Sequence, residues 1–120
     1  MPPPTPLKIK TSSVARLIKD ELTYHKEIVA QKAVVERMEA ENAEFYELKA
    51  QKKVLADTEQ MIPELHLRLE QAVEALEMEL EVIDEDSEEK QAAITAVEEA
   101  KKVYEGKATS VGNSLFTDVS

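Results

Sequence analysis

FYELKAQKKVLADTEQMIPELHLRLEQAVEALEMELEVI, residues 45–83, decides how this chain folds. Within it Phe45, Leu48, Lys52, Leu55, Glu59, Ile62, His66, Leu69, Val73, Leu76, Leu80 and Ile83 follow one another in steps that alternate three and four. That alternation is the seam of a helix packed against another helix. Pro63 sits inside the run. A helix interior normally excludes proline, because the ring removes one N–H bond and collides with the carbonyl of residue i−4, here Glu59. The cost is about 3 kcal/mol against alanine. The register nevertheless holds on both sides of Pro63, which predicts one helix over about 44–83, kinked at the proline. Burial of Ile62, Leu65 and Leu69 would offset the cost. The alternative ends one helix at Ile62 and starts another with Pro63 as its first residue.

Working outward, Val14, Leu17, Ile18, Tyr24, Ile28, Val35 and Met38 recur at helical spacing and predict a first helix over about 12–41. Thr11, Ser12 and Ser13 are its candidate N-caps, and Asn42 is a candidate cap for the helix that follows. After residue 83, IDEDSEE breaks the pattern and offers Asp84, Asp86 and Ser87 as caps, with Glu88 and Glu89 placed where the helix dipole favours them. A third helix over about 87–105 follows on Ile94, Val97, Lys101 and Tyr104, flanked by Ala93, Ala96 and Ala100, with Gly106 as its stop signal. The Pro-rich lead-in over 1–11 and the tail over 106–120 are expected to be flexible.

Three helices joined by two short turns predict an all-α fold, an antiparallel up-down-up three-helix bundle of coiled-coil character. Helix 3 is too short to cover helix 2 before about residue 67. The seam agrees, being polar at Gln31, Lys32, Lys52 and Glu59 and apolar from Leu69 to Ile83. From Leu69 to Glu89 no Lys or Arg occurs, and the antiparallel hairpin places this acidic stretch beside Lys8, Lys10, Arg16 and Lys19.

Composition narrows the function. Asp and Glu number 25 against 15 Lys and Arg, a net charge of −10, which argues against a nucleic-acid partner because phosphate binding needs a basic face. There is no cysteine for a disulfide scaffold or thiol chemistry. No apolar run approaches a membrane span, and MPPPTP lacks the apolar core of a secretory signal. These features predict a soluble cytoplasmic protein without a membrane partner. Both glycines, Gly106 and Gly112, come late, so residues 2–105 hold none for a phosphate loop or a nucleophile elbow. His25 and His66 read as polar members of the seam, because HKEIV does not match the H-E-x-x-H pattern of a zinc site. The many glutamates read as solvated helix faces. No enzyme, metal or cofactor is expected. Met38 and Met61 read as core filler. The aromatics Phe45 and Tyr46 with the basic cluster Lys49, Lys52 and Lys53 read either as a solubilised hairpin end or as a docking surface.

Three stretches carry a family resemblance. LKIKTSSVARLIKDE (7–21), FYELKAQKKVLADTEQMIP (45–63) and LRLEQAVEAL (67–76) together resemble the tubulin-binding cofactor A family, over about residues 7–83. The most specific elements are Lys8–Thr11, Val14–Glu21 and the mid-helix Met61–Pro63. The third helix matches only in helical character. The resemblance implies a three-helix bundle with a kinked middle helix. It implies a chaperone that captures β-tubulin after chaperonin release and holds it for αβ-heterodimer assembly by stoichiometric binding. Its implied partners are β-tubulin and other tubulin-folding cofactors, its setting the cytoplasm and the cytoskeleton, and its state monomer or homodimer. The surface expected to carry binding is Phe45, Tyr46, Lys49, Lys52, Lys53, Gln60, Met61, Pro63, Glu64 and Arg68. The competing class is a structural coiled-coil module for oligomerisation or adaptor contacts.

Overall fold

Thr5 and Pro6 start the first helix. Pro6 takes the first helical position, where its missing N–H costs nothing and its fixed φ suits the helix. Thr5 Oγ1 accepts a hydrogen bond from the Lys8 amide at 3.1 Å and donates one to Glu89 Oε1 at 2.9 Å. Helix α1 therefore runs Pro6–Ala40, beginning six residues before the expected start. Thr11, expected as a cap, is inside the helix and donates back to the Leu7 carbonyl at 2.8 Å. This computed structural model describes residues 3–116, and side chains over 3–105.

The end of α1 corrects the reading of Asn42. Its φ of 57° is left-handed, a region asparagine tolerates better than other non-glycine residues. The Ala43 amide donates to the Met38 carbonyl at 2.9 Å and the Asn42 amide to the Glu39 carbonyl at 3.2 Å. This pair of bonds is a Schellman motif, so Asn42 closes α1 rather than opening the next helix. Glu44 opens it instead, its Oε1 accepting the Glu47 amide at 3.0 Å.

Helix α2 runs unbroken over Phe45–Glu81 with Pro63 inside it, which settles the choice between one helix and two in favour of one. Pro63 and Glu59 are both exposed. The Glu59 carbonyl that loses its helical donor thus lies on a face that water reaches, which limits the cost of the proline. Helix α3 runs Glu88–Phe116. Of the three candidate caps Asp84, Asp86 and Ser87, Ser87 takes the place: its Oγ accepts the Lys90 amide at 3.1 Å. Glu88 and Glu89 occupy the first turn. The helix continues past Gly106, since glycine in a helix interior costs only about 1 kcal/mol and does not force a stop. Of the expected flexible segments, residues 1–2 and 117–120 lie outside the described residues.

The architecture is all-α, with no strand among the described residues. Contacts divide the chain into two compact units, with the division inside α1 at 18/19 and inside α2 at 65/66. The first unit joins the start of α1, the second half of α2 and α3. Its core is Leu7, Val14, Leu69, Val73, Leu76, Ala93, Ala96, Val97 and Ala100. The alanines let α3 approach closely, and Leu69, Val14 and Leu76 are fully buried. Each such side chain contributes on the order of 1.5–3 kcal/mol. Two ion pairs tie helices together here. Lys10 Nζ lies 2.8 Å from Glu79 Oε1, the expected answer of α1 to the acidic stretch, and Lys101 Nζ of α3 lies 2.9 Å from Glu77 Oε2. The hydrogen bond to Glu77 and its charge raise the Lys101 pKa above the ordinary 10.5. Burial raises that of Tyr104 above 10.0, and the charge of Glu105 adds to the shift.

The second unit, residues 19–65, is an antiparallel pair built from the rest of α1 and the first part of α2. Its core is thinner. Ile28, Val35 and Leu65 are its buried apolar side chains, and Leu48, Leu55 and Ile62 are half-buried. Polar groups share the seam. Gln31 Oε1 is buried without a protein hydrogen-bond donor, which costs about 1–3 kcal/mol. Glu21 is buried and lies 2.7 Å from the Nε2 of half-buried His25, one turn along α1.

Candidate partner-binding surface

Glu44 sets the geometry of the candidate surface by starting α2 where it does. Phe45 and Tyr46 then fall in the first turn, 65% and 71% exposed. Their rings meet edge to face, with centroids 5.2 Å apart and planes at 79°. An aromatic pair left this open contributes little to folding compared with a buried one. Next to it, Lys52 Nζ reaches across to Glu39 Oε2 of α1 at 3.0 Å, and Lys53 Nζ reaches Asp57 Oδ2 one turn along α2 at 3.1 Å. A second cross-helix pair, Lys32 Nζ to Glu59 Oε2 at 3.9 Å, lies further along the hairpin. All these pairs are well exposed and contribute on the order of 0–1 kcal/mol each.

Lys52 and Glu59 were both expected in the seam. The structure places them beside it, where each pairs with a charge on α1. The buried positions of α2 are Leu65 and the expected seam residues Leu69, Val73 and Leu76.

The ten expected binding residues fall on adjoining faces of α2. Tyr46, Lys53 and Gln60 recur every seven residues and so share a face of α2. Glu64 continues near it, whereas Arg68 belongs to the first unit and the other nine to the second. Phe45, Lys49, Lys52 and Pro63 lie on an adjoining face, by the same count of roughly 100° per residue. Met61 is half-buried and faces inward more than the rest. The expectation also confined the surface to α2. On α1, Leu22 and Val29 are 54% and 69% exposed and sit off the Tyr24–Ile28–Val35 seam. Two apolar residues seven apart and outside the seam were the signal available for them.

Elsewhere the chemistry is structural. Among the described residues of the first unit lie open clefts of about 260 and 240 Å³. Thr5 and Ser87, hydroxyls lining one of them, are engaged as helix caps. Among the described residues no group of three or more His, Cys, Asp or Glu could hold a metal ion. Among them too, no helix is long and apolar enough to cross a membrane.

Comparison with known proteins agrees with a helical binding protein. The family described as Tubulin binding cofactor A matches residues 2–104. The tubulin-folding cofactor A of Arabidopsis thaliana is 38% identical over 96 residues, covering 80% of this chain and 82% of that protein. The tubulin-specific chaperone A of Saccharomyces cerevisiae is 35% identical over 99 residues, covering 80% and 93%. Among solved structures, the Arabidopsis thaliana cofactor superposes with a TM-score of 0.73 at 35% identity over 80% of this chain and 92% of that one. A β-tubulin binding post-chaperonin cofactor superposes with a TM-score of 0.66 at 34% identity, covering 79% and 96%. The chain belongs to the tubulin binding cofactor A family, a family of non-catalytic tubulin chaperones.

Proposed function

We propose that this chain captures β-tubulin after its release from chaperonin and holds it for assembly into the αβ heterodimer. It acts in the cytoplasm, one chain per client, by binding alone. Other tubulin-folding cofactors take the client onward. The observation that carries this reading is the match along residues 2–104 to a family with a solved member that is a β-tubulin binding post-chaperonin cofactor. The geometry is in keeping with it. The 19–65 unit carries exposed aromatic, apolar and basic side chains that its own thin core does not use. Among the expected binding residues Pro63 has a distinct part. A proline on the exposed side of a helix bends it away from that side, so Pro63 shapes the α2 face presented to the client.

The test separates holding from catalysis. β-Tubulin released from chaperonin is incubated with increasing amounts of the chain, and the fraction recovered as assembly-competent β-tubulin is measured. A stoichiometric holder gives a linear rise that saturates near one chain per client. Full recovery at a small fraction of that ratio means turnover and refutes the proposal.

A further inference from the structure

Two ion pairs cross the 19–65 hairpin and show its register. Lys32 meets Glu59, and Glu39 meets Lys52 nearer the turn. From Gln31 round the turn to Glu64, Val35 is the one buried residue among those described. Met38, Leu48, Leu55 and Ile62 are only half-buried, and half-buried Gln51 and Thr58 interrupt the α2 side of the seam. The ion pairs are well exposed and add little. Little therefore holds the outer part of the hairpin closed.

Two defects mark where that part begins. On α1, Gln31 Oε1 is buried and accepts no protein hydrogen bond. An acceptor left this way destabilises the closed hairpin, and opening returns it to water. On α2, Pro63 lacks the amide that would bond the Glu59 carbonyl, so the helix is missing one of its own bonds there. The Lys32–Glu59 pair sets Gln31 level with Gln60, less than one helical turn from Pro63. Both helices thus carry a weak point at about the same height. On the other side of that height Ile28 and Leu65 are buried. The first unit, by contrast, has a core of nine buried residues. A segment with few buried apolar side chains opens at lower cost than the whole protein unfolds.

We infer that the outer hairpin, residues 31–62, is a conformational device that opens on its own, hinged at Gln31 and Pro63, while the first unit stays folded. Each opening brings Val35, Leu48, Leu55 and Ile62 into water, so the chain carries apolar surface that its closed form hides. The inference does not depend on the client reading above.

Native-state hydrogen exchange of the full chain, read by mass spectrometry of peptic fragments at rising sub-denaturing urea, tests it. Amides of 33–39 and 48–60 should show protection factors at least tenfold lower than those of 69–76 and 93–100. Their exchange should rise with urea, but less steeply than that of the core. Two variants separate independent opening from global unfolding. Val73→Ala, at a position 1% exposed, should lower core protection at least tenfold and leave the hairpin unchanged, because Val73 stays packed when only the hairpin opens. Gln31→Leu removes the unpaired acceptor and should raise hairpin protection severalfold. Equal protection of hairpin and core overturns the inference. So does a Val73→Ala effect of the same size in both, which means that they open together. Hairpin exchange that ignores urea altogether reports single-bond fluctuations and overturns it too. Unchanged hairpin protection in Gln31→Leu refutes the hinge at Gln31.

Discussion

Replacing Pro63 with alanine should make the protein more stable and a poorer chaperone. Alanine restores the amide that donates to the Glu59 carbonyl and removes the ring that collides with it. Pro63 is exposed, so little packing is lost. Proline in a helix interior is about 3 kcal/mol less favourable than alanine. Solvation of the Glu59 carbonyl and relaxation of the surrounding turn have already recovered part of that, leaving an expected gain of about 2 kcal/mol. With a urea m-value of about 1.5 kcal/mol/M for a chain of this size, the midpoint should rise by about 1.3 M. The assay is urea unfolding followed by circular dichroism at 222 nm, paired with β-tubulin titration of the same samples. The expected result is a higher midpoint with at least severalfold weaker binding. A lower midpoint would show that Pro63 makes packing contacts worth more than the helical hydrogen bond it removes. A higher midpoint with unchanged affinity would show that the shape it imposes is irrelevant to the client.

Leu69→Ala, at a fully buried position, should cost about 3–5 kcal/mol in urea unfolding, whereas Leu22→Ala, at an exposed one, should stay within about 0.5 kcal/mol. Asn42→Val puts a β-branched residue at φ 57° and should destabilise by about 1–2 kcal/mol, while Asn42→Gly should be neutral or better; thermal melts of the two distinguish them. Alkaline stability should depend on Lys101 and Tyr104. Both pKa values are raised in the folded state, so their contribution is complete below the ordinary 10.5 and 10.0 and is lost as pH climbs through the folded values. Lys101→Met with Tyr104→Phe should therefore shrink the fall in melting temperature above pH 10 without altering its neutral-pH trend.

The helices were legible where periodicity is long. Twelve seam positions carried the register of α2 through Pro63, and a single local breaker could not outweigh them. The Ser87 cap was legible because a hydroxyl followed by two glutamates suits a helix start both by hydrogen bonding and by charge. Ends that depend on backbone conformation were harder. Asn42 suits a helix start and a left-handed helix end equally well, and only its φ distinguishes them. Pro6 looked like part of a Pro-rich lead-in, yet Thr5–Pro6 is also a cap followed by a first-turn proline, and Leu7 behind it is buried in the core. The candidate surface was legible as residue types and not as a face. Leu22 and Val29, seven apart and outside the Tyr24–Ile28–Val35 seam, were the legible sign that α1 also presents apolar side chains, and only the structure shows both of them more than half exposed.

Gel filtration of the full chain, alone and with β-tubulin freshly released from chaperonin, shows whether the chain holds its client. A stoichiometric holder gives a new peak containing both proteins at one to one. β-Tubulin that elutes unchanged, with the chain alone already running as a stable oligomer, is the behaviour of a structural coiled coil and refutes the client reading.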